Sequence, residues 1–373
     1  MKVVVDATML DGGPSGAATR LAALGAAHHK EGAAEVVHLV RPGVSPLPGL
    51  ATHEVDGLDT PLRRARAGRR LDGVLAELGA DLYHHGTLPV PAVRAVPRLL
   101  TLHDLRFLDG AAGQGLLRGL WGKHRLGPQL RAVDRVVAVS RTTAEELDTR
   151  RLVAPDRVAV VPNAGTPGLE RVDEVQRIAD FRARAGLRGR YVLALGPLEP
   201  HKRPEELLEL LALVRGHADG ADLALVLAGR ADPRRALALA RYAKRLGLGE
   251  VLAITGALPH DELAAALSGA DALLCAGRHE GFALPVVDAQ RLGVPVVAVA
   301  SGALPEVGED GAWFADPDDL PGLASALLHA VTPGDLREAR LRRGHELAAR
   351  WSWERSAREL EGVWRAVLEE ARG

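Results

Sequence analysis

Two doubly wound α/β domains are what this chain predicts, on three observations. Short apolar strands alternate with amphipathic helices along most of its 373 residues, the order of parallel sheets covered by helices. A length of 373 residues suits about two domains. The alternation stops once, at Pro162-Asn163-Ala164-Gly165-Thr166-Pro167-Gly168, and then restarts.

In the first half, Lys2–Asp6 reads as a strand and Ala17–His29 as a helix behind the glycine-rich loop Gly12-Gly13-Pro14-Ser15-Gly16. Val36–Val40, Leu82–His84, Arg98–Leu102, Arg135–Val139 and Val158–Val161 read as further strands. Thr142–Asp148 reads as a helix capped by Ser140 or Thr142. The breaker cluster then separates a first domain, residues 1–165, from a second, residues 166–350. The second runs strand Tyr191–Leu195, helix Pro204–Val214, strand Leu223–Ala228, helix Arg234–Arg245 and strand Val251–Ile254. Helix Asp261–Leu267 and strands Ala272–Cys275 and Val294–Val299 follow. Residues 351–373 form an amphipathic helix, with Trp353, Ala357, Leu360, Trp364, Val367 and Ala371 at alternating steps of four and three. Two such domains joined by one hinge place a ligand cleft between them, at strand C-termini.

Hydrophobic content of 47% with 25% charged residues is that of a soluble globular chain. A formal net charge of −1 argues against a general nucleic-acid partner. The charge is uneven: residues 1–165 hold 21 Lys and Arg against 17 Asp and Glu, and the remainder 26 against 31. The single Cys275 excludes an internal disulfide and reads as inert burial in a strand. Without a leader pattern or a run of 18 apolar residues, the expected location is cytoplasmic. The fourteen histidines show no metal-ligand spacing, so neither a metal nor a cofactor is expected. His84-His85 read as structural. The run Arg63, Arg64, Arg66, Arg69 and Arg70 reads as a solvated helix face; its sharper reading is a weak peripheral contact with the inner face of a membrane or with an anionic acceptor.

Glu280-Gly281-Phe282-Ala283-Leu284-Pro285-Val286-Val287-Asp288 carries the most chemistry. Glu280 lies just past an apolar strand, and Pro285 suits the first turn of a helix. Asp288 then falls about one turn into that helix. Paired carboxylates hold polyols and helix N-termini hold anions, which suits a ligand that is part sugar and part phosphate. Taken alone, the stretch is also an ordinary strand–loop–helix unit with a solvated glutamate.

This stretch resembles the E-x(7)-E region of retaining nucleotide-sugar glycosyltransferases of glycosyltransferase family 4, with Asp288 in place of the second Glu. Arg278-His279 and Gly302-Ala303-Leu304-Pro305-Glu306-Val307 are similar to the same family. The resemblance implies a GT-B fold: two Rossmann-like domains facing a central cleft, with the C-terminal helix crossing back to the first. It implies transfer of a sugar from a nucleotide diphosphate-sugar donor, with retention and without an obligatory metal. The acceptor stays open between a saccharide, a lipid-linked and a small molecule.

The resemblance assigns roles residue by residue. Lys202, beside the helix started by Pro204, binds the donor diphosphate. The family's accompanying Arg is absent, since Pro197 and His201 stand at its positions; Arg203, on the other side of Lys202, is a candidate substitute, and the second cation stays open. His103, in Thr101-Leu102-His103-Asp104-Leu105, contacts the donor sugar, with Asp104 as its orienting partner. Gly16 belongs to the loop closing over the donor. Glu280 holds sugar hydroxyls, Gly281, Phe282 and Ala283 offer backbone amides, and Asp288 takes the ribose. Thr255-Gly256 marks the base pocket. Two rival readings are a nucleotide-sugar 2-epimerase of similar fold and a protein that binds sugar nucleotides without turnover.

Overall fold

The computed structural model describes residues 1–8, 15–31, 34–43, 49–58, 60–108 and 126–373. The described chain divides into two compact units. One comprises residues 1–108 and 126–167 together with Trp351–Gly373; the other is Gly168–Arg350.

The first unit is built on a parallel seven-stranded sheet. Its strands are β1 (Lys2–Asp6), β2 (Glu35–Val40), β3 (Thr52–Glu54), β4 (Leu82–His85), β5 (Arg98–Leu102), β6 (Arg135–Ala138) and β7 (Val158–Val160). They run in the order β3-β2-β1-β4-β5-β6-β7. The order reverses direction between β1 and β4, so the loops after those strands leave toward opposite faces and open a crevice. Past Lys2, strands β1 and β4 are entirely buried, as expected when helices cover both faces. Val4, Leu39, Leu58, Leu71, Leu75 and Tyr83 form one core cluster. Leu100, Leu130, Val136 and Leu147 belong to another.

The C-terminal helix Trp353–Glu370 belongs to this unit, capped by Ser352. Trp353, Ala357, Leu360, Trp364 and Val367 are buried, whereas Ala371 lies past the helix end and is exposed. Trp364 stacks on His28 at 4.7 Å between ring centroids and donates from Nε1 to His84 Nδ1 at 3.2 Å. Trp353 donates from Nε1 to the Gly165 carbonyl at 2.7 Å. Burying a ring such as that of Trp364 contributes on the order of 3 kcal/mol.

The second unit holds a parallel six-stranded sheet: β8 (Tyr191–Leu195), β9 (Ala224–Ala228), β10 (Leu252–Gly256), β11 (Ala272–Cys275), β12 (Val296–Val299) and β13 (Trp313–Ala315). Its order is β10-β9-β8-β11-β12-β13, with the reversal between β8 and β11. The doubly wound architecture expected from the alternation is therefore present in both units. Strands β3 and β13, three residues each, escape the sequence reading, whereas β7, equally short, is legible from its apolar run Val158–Val161.

One expectation is corrected here. The basic run is not one solvated face: it spans two helices, Pro61–Arg66 and Gly68–Leu78, and Arg64 is only 1% exposed. Its Nη2 donates to the Leu58 carbonyl at 2.9 Å, turning the side chain inward. Among the described residues, no helix is long and apolar enough to cross a membrane.

Candidate active site

The crevice of the second sheet is formed by the loops after β8 and β11. After β8 the chain makes a tight turn, Pro200–Lys202, and enters helix Pro204–Val214. After β11 it passes Gly277 and Glu280 and enters helix Leu284–Arg291, with Pro285 in its first turn. The two loops bring Lys202 Nζ to 2.5 Å from Glu280 Oε1. Both side chains are largely but not fully buried, at 23% and 14% exposure. They stand on the wall of a concavity of about 460 Å³, open to solvent. Gly196, Cys275, Gly277, Ala283 and Pro285 are also part of its lining.

Close backbone approach makes this geometry possible. A Cβ at Gly229 would lie 1.8 Å from the Gly196 carbonyl oxygen, so the loops after β8 and β9 can meet only through glycine. Gly302, at φ +56°, would place a Cβ 2.7 Å from the Glu280 carbonyl oxygen. Its neighbour Ala303 donates its N–H to that same oxygen at 2.8 Å. The loop after β12 thereby holds Glu280 in position. Gly229 and Gly277 were missed as site residues, although each stands one or two positions past a strand, where a glycine is a readable signal.

The other expected residues fall in different surroundings. Ala283 lies on the concavity in the left-handed region, φ +64°, directly before the helix. Phe282 is buried, while Gly281 is half-buried. Thr255 and Gly256 end β10, and the Gly256 carbonyl accepts from Gly229 N at 2.8 Å. Cys275 beside Glu280 has its thiol pushed up to about 12, first by burial and then by the carboxylate. The thiol therefore stays protonated at neutral pH, although Cys275 is half-buried and lines the concavity rather than being enclosed in the strand.

Two second-unit assignments do not match this conformation. Arg203 is not a free second cation beside Lys202. Its Nε donates to Glu206 Oε1 at 3.1 Å and its Nη1 to the Pro317 carbonyl, and it does not line the concavity. The cause is its left-handed backbone, φ +54°, at the corner between turn and helix. Asp288 is 2% exposed and accepts from Arg291 Nη2 at 3.3 Å. One turn into the helix, its short stem leaves the carboxylate among neighbours rather than on the concavity wall.

In the first unit, His103 follows β5 and is half-buried. Its imidazole is pushed down to about 4 by burial first and then by Arg20, and it hydrogen-bonds to the Gly86 backbone. That backbone, rather than Asp104, orients it; Asp104 Oδ1 accepts from Arg106 N at 3.1 Å. Gly16 is the exposed first residue of helix Gly16–Glu31, and Ser15 Oγ accepts from Ala18 N at 3.2 Å. Gly12, Gly13 and Pro14 lie outside the described residues. Among the described residues, no three of His, Cys, Asp or Glu group to hold a metal ion.

Comparison with known proteins agrees with the fold. Residues 177–345 match the family described as glycosyl transferases group 1, and residues 14–164 match glycosyltransferase family 4. The D-inositol 3-phosphate glycosyltransferase 1 of Catenulispora acidiphila is 31% identical over 304 residues, covering 75% of this chain and 69% of that protein. The chain belongs to this glycosyltransferase family. It is also 29% identical over 240 residues to the serotype-specific mannosyltransferase WbdA of Escherichia coli, covering 63% of this chain but only 29% of that protein. Among solved structures, sucrose-phosphate synthase from Thermosynechococcus elongatus superposes with a TM-score of 0.80 at 20% identity, over 99% and 100% of the two chains. Anabaena HepE in complex with UDP and glucose gives 0.77 at 17% identity, over 98% and 100%. These structures establish the fold, of the GT-B type.

Proposed function

We propose that the chain transfers a hexosyl group from a nucleoside diphosphate sugar to an acceptor hydroxyl, with retention and without a resident metal. The observation that carries this reading is the meeting of Lys202 and Glu280 on an open concavity at the β8/β11 reversal. An ammonium there can neutralise a departing diphosphate, and a carboxylate can accept from sugar hydroxyls. The complexes of HepE with UDP and with UDP-glucose support a donor of this class. The named activities of the mannosyl- and inositol-phosphate glycosyltransferase relatives support transfer rather than epimerisation.

In this reaction the bond from the anomeric carbon to the diphosphate breaks, and the acceptor oxygen bonds to the same face. The acceptor proton passes to the departing phosphate. Lys202 stabilises that phosphate as charge develops. For this it must leave Glu280, so donor binding opens the ion pair and frees the carboxylate for the sugar. His103, held neutral, accepts or donates a hydrogen bond at the sugar without adding charge. The Ala283 corner and the N-terminus of helix Leu284–Arg291 add backbone dipoles to the phosphates.

Incubation with a panel of nucleoside diphosphate sugars and acceptors tests the reading. One pair should give transfer with the anomeric configuration kept, and activity should survive excess chelator. Lys202→Ala should reduce the rate by roughly a hundredfold or more. Unchanged turnover in that variant, or activity that needs added magnesium or manganese, would contradict the corresponding part of the mechanism.

A further inference from the structure

A second cavity lies wholly within the first unit, between its sheet and the helices Gly16–Glu31 and Trp353–Glu370. It is narrow, with space of about 20 Å³, enough for one small ion or water, and Arg20, His28, His38, His84, His103 and Trp364 are among the residues lining it. Of these only His103 enters the proposed transfer reaction.

Arg20 is 2% exposed. Its Nη1 is fully used: it donates to the carbonyls of Val161 at 3.1 Å and Pro162 at 3.3 Å and to Asn163 Oδ1 at 2.5 Å. Its Nη2 is buried and meets no acceptor among the described residues. Burial lowers the guanidinium to about 9, which leaves it charged at neutral pH. Among the described residues lining the cavity there is no Asp or Glu. The nearby imidazoles cannot take the place of an acid. His84 accepts from Trp364 at Nδ1 and faces Thr101 Oγ1 at 2.8 Å through Nε2, so both nitrogens are occupied. His103 is engaged with the Gly86 backbone. A buried cation with an open N–H and no counter-charge is strongly unfavourable unless an anion joins it.

We propose that this cavity binds a small monovalent anion, of halide or carboxylate type, on Arg20 Nη2. The anion completes the hydrogen bonding of the guanidinium and neutralises it. It thereby secures the clamp that Arg20 places on Val161, Pro162 and Asn163, where the first unit's sheet hands the chain on. The inference is independent of the transfer reaction.

Crystals of the full chain soaked in sodium bromide, measured at the bromine edge, test it directly. A bromide peak at hydrogen-bonding distance from Arg20 Nη2, or formate density there in a parallel formate soak, is expected; a water there in both soaks, or both anions confined to the surface, overturns the proposal. In solution, melting followed against chloride, bromide, acetate or formate at constant ionic strength should show a rise for wild type. The rise should be roughly 3–5 °C per tenfold increase beyond the dissociation constant. A response to halides alone identifies a halide site, and a response to acetate or formate alone identifies a carboxylate site. Arg20→Met should lack the increment, and an equal increment in both proteins overturns the proposal. If that variant does not fold, the bromide and formate maps of the wild type decide.

Discussion

At the reversal of the first sheet, between β1 and β4, polar side chains close on one another. Asp6 Oδ2 lies 2.8 Å from His85 Nδ1 and accepts from Tyr83 Oη at 2.6 Å, and Asp6 Oδ1 accepts from Thr8 Oγ1 at 2.6 Å. Asp6 and His85 are both almost fully buried. At the reversal of the second sheet, between β8 and β11, Lys202 and Glu280 instead stand on an open wall. Among the described residues, the same topology thus ties one pair of strand ends together through a buried network and leaves the ion pair at the other facing open space. The difference lies in the strand ends. β1 and β4 finish on Asp6 and His85, whose paired register brings them together, while β8 and β11 finish on Leu195 and Cys275, and the charged pair comes from the loops beyond them.

The buried Asp6–His85 network and the histidines around it should make the first unit the acid-labile one, and this is the largest expected effect. Burial pushes His38 down to about 4, His84 to about 3 and His103 to about 4. Unfolded, each takes a proton near the ordinary value of about 6.5. Their stabilisation is therefore fully present above about pH 6.5 and is lost as pH falls toward 4, at about 1.4 kcal/mol per pH unit for each imidazole. Burial alone would raise the Asp6 carboxyl, but His85, Thr8 and Tyr83 outweigh it and hold it well below the usual range. Its contribution is present above the unfolded value of about 4 and disappears only at still lower pH. Hydrogen exchange at decreasing pH should show β1, β4 and β5 losing protection before β8 and β11. Simultaneous loss, or the second unit opening first, would break the comparison.

Glu280→Gln sharpens it from the other side. The variant keeps the shape of the open crevice but releases Lys202 from its partner. Nucleotide-sugar affinity should fall by about 1–3 kcal/mol, the loss of charge-assisted acceptance. The bare nucleoside diphosphate should bind as well as before or better, because no carboxylate competes for Lys202. Calorimetric titration with both ligands separates these outcomes, and equal weakening of both would contradict the roles assigned to the pair.

A smaller effect concerns Ala283. A residue other than glycine at φ +64° carries roughly 1–2 kcal/mol of backbone strain. Ala283→Gly should relieve part of it, offset by the greater freedom of glycine in the unfolded chain. A net gain of about 0.5–1 kcal/mol, seen as a melting point raised by a few degrees, is expected. A lower melting point would mean that the corner is held without strain.

Much of this was readable from residue order. Helix Pro204–Val214 has the expected bounds, and Lys202 and Glu280 each stand after an apolar strand. Their contact, 78 positions apart, is not readable, since it arises from β8 pairing with β11. The Asp6–His85 pair depends in the same way on β1 lying beside β4. Arg64 was misread because a run of arginines resembles a solvated face, and only the carbonyl of Leu58 reveals the one turned inward. Arg203 and Asp288 were placed correctly in sequence, but a left-handed corner and a short side chain direct them elsewhere.

The central claim is that the second unit's crevice receives a diphosphate on Lys202. A crystal structure of the full chain with a nucleoside diphosphate bound tests it most directly. The account predicts a phosphate oxygen at hydrogen-bonding distance from Lys202 Nζ, with the Lys202–Glu280 contact opened. A bound diphosphate that leaves this ion pair intact, or that lies away from the β8 and β11 loops, would contradict it.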